Sequence, residues 1–147
     1  MKKIFFLLSL GFVCLFAQAQ KDQHDSWTVK LNKKVILDAF KYGETANTRT
    51  IKSSDLDKKS SLEIIYHQGD PEQAKTWNRT FIFMDENEHE LLRKDSTLHA
   101  TISGSVLKKL FGDKKTIRIY TIALPTNLDI ASRVRVSRLH LCTLELQ

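Results

Sequence analysis

Trp27, Val29 and Leu31 alternate with Thr28, Lys30 and Asn32. A side-chain period of two residues places every second residue on one face, the pattern of a half-buried strand. The same rhythm returns in Leu62, Ile64 and Tyr66, and again over 114–124 through Ile117, Ile119 and Ile122. Residues 79–85 differ, with Phe81 and Phe83 on one side and Ile82 and Met84 on the other. A segment apolar on both faces is predicted to be a central strand. Runs at 35–39, 89–93, 98–103 and 133–146 complete the set, the last of them expected to be the longest.

The breaks between these runs are equally legible. Residues 42–47 read as a turn around Gly43, 53–60 as a polar loop, Gly69-Asp70-Pro71 as a strand terminator and 85–88 as a hairpin tip. One helix is predicted over 104–111. Ser103 stands at its N-cap, Val106, Leu107, Leu110 and Phe111 recur at helical spacing, and Gly112 ends it. Residues 125–132 form a connector able to make a helical turn. Seven to nine short strands with one short helix make an all-β chain, an antiparallel β-sandwich of immunoglobulin-like architecture. A small barrel is the runner-up.

The first 19 residues do not belong to that pattern. Lys2 and Lys3 precede an apolar run over 4–16, and Ala17-Gln18-Ala19 follows. These are the three regions of a secretory signal peptide, and the run is shorter than the ~20 residues needed to span a bilayer. Cleavage after Ala19 leaves 128 residues of formal charge +4, against +6 for the whole chain. The domains expected are therefore a leader over 1–19 and one sandwich over 20–147, with 20–26 as a polar, flexible lead-in. No later stretch is long and apolar enough to span a membrane. Cys14 follows Val13 rather than a small residue, which argues against lipidation. The paired lysines and the Ala-Gln-Ala-Gln end resemble export signals of Gram-negative, Bacteroidetes-type bacteria. That resemblance implies a periplasmic or cell-surface location.

With the leader removed, Cys142 is the sole cysteine, so no internal disulfide can form and stability must come from a packed core. At 41% hydrophobic residues the chain can supply one. Too few Gly, Pro and Cys residues are present for a collagen-like chain or a disulfide scaffold.

His140-x-Cys142 is the sharpest chemical feature, because an i, i+2 pair on a strand presents two ligands from one face. His67 and Met84, on other predicted strands, would complete a soft copper site or contribute to a zinc site. The competing reading makes both residues core. Val134, Val136, Leu144 and Leu146 share their parity, unless a bulge near 137–138 shifts the register. The core reading is preferred, since a buried Cys behaves as a small hydrophobe.

Asp85-x-Asn87-x-His89 invites a calcium reading, but Glu90 and Ser96 stand where an EF-type loop needs Gly and Glu. A solvated hairpin explains the tip better. No nucleophile elbow, phosphate-cradling Gly loop or His-Glu-x-x-His occurs, and no catalytic residue is assigned. Lys108, Lys109, Lys114, Lys115 and Arg118 cluster, followed by Arg133, Arg135 and Arg138. Such a grouping could attract an acidic glycan, an anionic lipid or an acidic envelope protein. No aromatic-basic stripe points to nucleic acid. The triplets Asn78-Arg79-Thr80 and Asp95-Ser96-Thr97 carry no weight as glycosylation sites. Trp27 and Trp77 are the aromatic candidates for an exposed contact, Trp77 the better placed of the two.

The sequence thus leads to an exported, non-catalytic binding or structural module of the cell envelope, requiring no cofactor. The alternative is a small periplasmic copper- or zinc-binding protein built on His140 and Cys142.

Overall fold

The computed structural model describes residues 24–95 and 97–147. The leader expected over 1–19, residues 20–23 of the lead-in, and Ser96 lie outside the described residues. Among the described residues, nine strands form two sheets. They are β1 (Ser26–Leu31), β2 (Lys34–Ala39), β3 (Thr48–Ile51), β4 (Ser61–His67), β5 (Trp77–Met84), β6 (Glu90–Lys94), β7 (His99–Ser103), β8 (Thr116–Pro125) and β9 (Leu139–Leu146). One sheet has the order β2-β1-β4-β7 and the other β3-β9-β8-β5-β6. Every pairing is antiparallel except β3 with β9, which is parallel. The chain is a mostly antiparallel β-sandwich, as its alternation requires.

The alternating residues meet between the sheets. Trp27, Val29 and Leu31 from β1 and Leu62, Ile64 and Tyr66 from β4 face Phe81 and Phe83 from β5 and Ile117 and Ile119 from β8, all buried. β5 lies between β8 and β6. Its second apolar row, Ile82 and Met84, is buried on the outer face of the five-stranded sheet.

Local chemistry sets several boundaries. Asn32 and Lys33 both have positive φ (53° and 67°) and link Leu31 to its partner Lys34, the backbone that a two-residue hairpin of matching twist demands. Helix α2 (Gly104–Phe111) falls on the expected residues. Ser103 Oγ accepts from the Val106 amide, and Gly112 ends the helix at φ 52°. At Gly104 a methyl group would overlap the Asp57 carbonyl and Ser60 Cβ, so the helix starts where only glycine fits.

Three elements depart from the alternation pattern. Helix α1 (Pro71–Thr76) follows the Gly-Asp-Pro break, with Asp70 capping it and Pro71 in its first turn; Pro is compatible with a first turn because its missing N–H has no partner there anyway. The parallel strand β3 is too short, at four residues, to show a period. Residues 133–138 are not strand, so β9 starts at Leu139 and β8, with ten residues, is the longest strand. The apolar–basic alternation over 133–138 mimics a strand without any neighbouring strand to pair with. The connector at 125–132 does contain a turn, α3 (Leu128–Ala131).

The described end of the lead-in is held in place. Asp25 Oδ2 accepts a 2.6 Å hydrogen bond from Tyr66, and its Oδ1 accepts from the Gly69 amide at 2.8 Å.

Candidate functional site

The bulge in β9 decides the fate of the His-x-Cys pair. Ile119 pairs with Cys142 and Tyr120 with His140, so Leu141 has no partner residue in β8. The expected shared face of His140 and Cys142 is therefore lost, and the bulge sits within the pair rather than near 137–138. Leu141 and Cys142 are both fully buried, whereas His140 is half-buried on the outer face. There its ring meets Tyr120 edge-on at 5.5 Å, and its Nε2 lies 2.8 Å from Thr143 Oγ1.

Burial holds the His140 imidazole below its ordinary pKa, with Arg118 adding to the effect and Glu44 opposing it. Burial also pushes the Cys142 thiol up to about 12. Met84 lies on the same outer face as His140 and touches Arg138, its Sδ 3.1 Å from Nη1. His67 ends β4 in the other sheet and is exposed. The four residues named as a metal set are thus spread over the core and two sheets. Among the described residues, no group of three or more His, Cys, Asp or Glu side chains could hold a metal ion.

The acidic tip closes on itself. Asp85 Oδ1 accepts from the amides of Asn87 (2.8 Å) and His89 (2.9 Å), and its Oδ2 lies 3.1 Å from His89 Nδ1. The His89 amide, above all, holds the Asp85 carboxyl below its usual pKa.

The basic residues divide into paired and unpaired groups. Arg118 is matched by Glu44 at 2.8 Å, and Lys114 lies 3.4 Å from Asp113. Arg138 lies 3.3 Å from Glu88 and stacks over Tyr120 at 5.4 Å. Arg133 and Arg135 are exposed, and no ion pair or side-chain hydrogen bond joins either to another described residue.

These two arginines lie in the β8–β9 connection, residues 126–138. Adjacent antiparallel strands can be joined by two to five residues, so this connection, with its own helical turn, is longer than closing the hairpin requires. Short-range bonds hold this one in shape. The Thr126 amide donates to Thr76 O at 2.8 Å. Asn127 Oδ1 caps α3, accepting from the amides of Asp129 and Ile130. Arg138 pins the far end against Met84, Tyr120 and Glu88. The loop so held displays Leu128 at 83% exposure, Ile130 at 52% and Val136 at 45%.

Of the two tryptophans, Trp27 is fully buried and Trp77 half-buried. The exposed aromatics are instead Phe40 and Tyr42, just beyond β2. Sequence reasoning did not mark Leu128, Ile130 and Val136 as a contact surface. The available signal was the interleaving of apolar residues with Arg133, Arg135 and Arg138, which reads equally well as a strand.

No protein-family model matches the chain, and no curated protein sequence matches it significantly. Among the described residues no helix is long and apolar enough to cross a membrane.

Proposed function

We propose that this chain is an exported, non-catalytic binding module of the bacterial cell envelope, with residues 1–19 as its leader and the β8–β9 loop as its contact surface. One observation carries the reading: a capped, pinned 13-residue loop holds Leu128, Ile130 and Val136 in solvent and carries Arg133 and Arg135, whose side chains pair with no other described residue. Several large apolar side chains held in water on one ordered loop are a feature of interaction surfaces. The rigid sandwich below supplies a platform, and loops on such platforms commonly carry recognition.

The test is capture from native envelope extract, comparing the tagged chain with Leu128→Ser/Ile130→Ser. Both substituted side chains are more than half exposed, so the variant should keep its fold, which its melting transition would verify. The reading expects a component retained by the parent chain and released by the variant. Equal retention by both would remove the loop as the contact surface, and no retention by either would remove the binding reading.

A further inference from the structure

We infer that the end of the sandwich closed by α2 binds an acidic polysaccharide, its hydroxyls entering the recess beside the β1–β2 turn and its carboxylate or sulfate groups meeting the surrounding lysines. This contact surface is separate from the β8–β9 loop and goes beyond the reading above.

Hydrogen bonds gather four segments at this end. The Asn32 amide in the β1–β2 turn donates to Ser61 O at 2.9 Å, and Asn32 Nδ2 donates to Asp55 O at 3.1 Å. The turn is thereby joined to the loop over 52–60. The carbonyl of Ser60, which ends that loop, accepts from the Gly104 amide of α2 at 2.7 Å. Helix α2 contacts β4 and β7 of one sheet and β8 of the other, and Leu107 and Phe111 enter the core between them. Its opposite face therefore forms the outside of this end. Residues 112–115 join through the end of β9, where the Leu146 amide donates to Lys115 O at 2.8 Å and Gln147 O accepts from Ser53.

Each segment brings lysines. Lys33 and Lys34 stand at the turn, Lys52, Lys58 and Lys59 on the loop, and Lys108 and Lys109 on α2, all exposed. Lys114, partly buried, and the exposed Lys115 precede β8. Apart from Lys114, 3.4 Å from Asp113, none of them joins another described residue through an ion pair or side-chain hydrogen bond. These nine lysines outnumber the carboxylates of the same segments, Asp55, Asp57 and Asp113, by three to one. The acidic hairpin tip reaches this level too, but it folds over the outer face of the five-stranded sheet. There Arg118 donates to Glu86 O at 3.2 Å and Arg138 lies 3.3 Å from Glu88.

The recess decides which polyanion fits. It measures about 270 Å³ and is lined by Asn32, Lys33, Asp57, Lys59, Ser60 and Ser61, all of them polar. Lysine attracts acid groups as a point charge. A carboxylate beside it repels a bare phosphate, yet accepts hydrogen bonds from sugar hydroxyls. An acidic sugar carries both kinds of group. Within these segments Val106 is the one large apolar side chain in solvent, too little to anchor the end in a lipid leaflet. No aromatic ring is exposed there to stack on a nucleic-acid base.

The experiment is equilibrium binding of fluorescent chondroitin sulfate oligosaccharides to the exported protein, its N terminus read by mass spectrometry. Dextran, inorganic polyphosphate and phosphatidylglycerol vesicles serve as competitors. Binding should weaken as salt shortens the Debye length from ~10 Å at 0.1 M towards ~3 Å at 1 M. Neutral dextran should not compete, and polyphosphate and vesicles should compete at least about tenfold less well per charge. Lys33→Gln/Lys59→Gln should lower affinity about fivefold to tenfold, the effect of two exposed charge pairs. Lys41→Gln/Lys75→Gln removes the same charge beyond β2 and in α1, at the other end of the sandwich. The ten residues of β8 span about 33 Å between the ends, so that variant should change affinity less than about twofold.

No binding, or an equal loss from the two lysine pairs, would overturn the inference. So would polyphosphate or vesicles that compete as well as the oligosaccharide, since charge alone would then explain the contact. Leu128→Ser/Ile130→Ser should bind the oligosaccharide like the parent chain, so this inference and the loop reading fail separately.

Discussion

The indole Nε1 of Trp27 in β1 donates a 2.9 Å hydrogen bond to the carbonyl of Leu141 in β9, joining the two sheets at the residue where β9 bulges. A bulged residue loses its ladder partner, and a buried carbonyl without a donor is costly. The tryptophan answers that need from the opposite sheet. It also stacks with the rings of Tyr42, at 5.0 Å, and Tyr66, at 6.3 Å, whose hydroxyls meet at 3.1 Å. The same bulge turns His140 outward while Cys142 stays in the core. One local irregularity thus shapes both the core and the outer face.

Trp27→Phe should destabilise the protein by at least about 2 kcal/mol, since it leaves the buried Leu141 carbonyl unsatisfied and opens a small cavity. Urea unfolding measures this directly. A change within about 0.5 kcal/mol would mean the indole bond contributes nothing net.

Arg79 is buried at 5% exposure, its guanidinium carbon 3.7 Å from the Tyr66 ring centroid and its Nη2 3.7 Å from Asp25 Oδ2. Removing one partner of such a pair strands the other charge, which is worse than removing the buried charge itself. Asp25→Ala is therefore expected to lower stability by about 2–3 kcal/mol, below the fully buried range because the Asp25 side chain is 32% exposed. Arg79→Met should lower it by less, and a double-mutant cycle would give the coupling. The reverse order of the two single variants would sink this account.

Gly104→Ala should destabilise by about 1–3 kcal/mol despite alanine's better helix propensity, because its methyl group meets the Asp57 carbonyl and Ser60. The exposed Lys109→Ala in the same helix serves as the comparison and should be close to neutral. Equal melting temperatures for the two variants would show that the loop over 57–60 gives way freely.

Acid should act in two separate windows. The folded His140 pKa lies below its unfolded value of about 6.5, so the unfolded chain binds the proton first. Stability is then unaffected above that value and falls as pH drops through it towards the folded pKa. Asp85 acts lower down: its folded pKa is depressed, so its contribution is present above about 3.9 and is lost as pH falls through the folded value. His140→Gln should flatten the upper window and leave the lower one unchanged. Unfolding midpoints at several pH values decide it, and an upper window that survives in His140→Gln would count against the assignment.

Cys142 should resist thiol reagents in the native protein and react fully once unfolded, because it is wholly buried and its pKa is pushed up to about 12. For the same reason, His140→Ala combined with Cys142→Ser should leave copper or zinc uptake at the level of the parent chain. Rapid native-state labelling, or metal uptake abolished by the pair, would restore the ligand reading.

Much of the fold is legible in the residue pattern. Period-two runs placed β1, β4 and the inward row of β5, and the Ser103 and Gly112 signals placed α2 to the residue. These features are local, each written in a few consecutive side chains. β3 carried no such signal, since four residues pairing in parallel with a distant strand leave no periodic trace. Arg133–Arg138 carried a false one: alternation there reflects loop chemistry, with no neighbouring strand to make it a ladder.

The sequence alone pointed to a strand-rich sandwich with a packed apolar core, because hydrophobic period and turn chemistry act within a few residues. Tertiary structure decided which face each candidate residue occupies. A single extra residue at Leu141 separates His140 from Cys142, and only the approach of Trp27 from the other sheet makes that bulge affordable. The same holds for the exposed surface. Whether Leu128 and Ile130 are covered depends on what the rest of the chain packs against them, and here nothing among the described residues covers them.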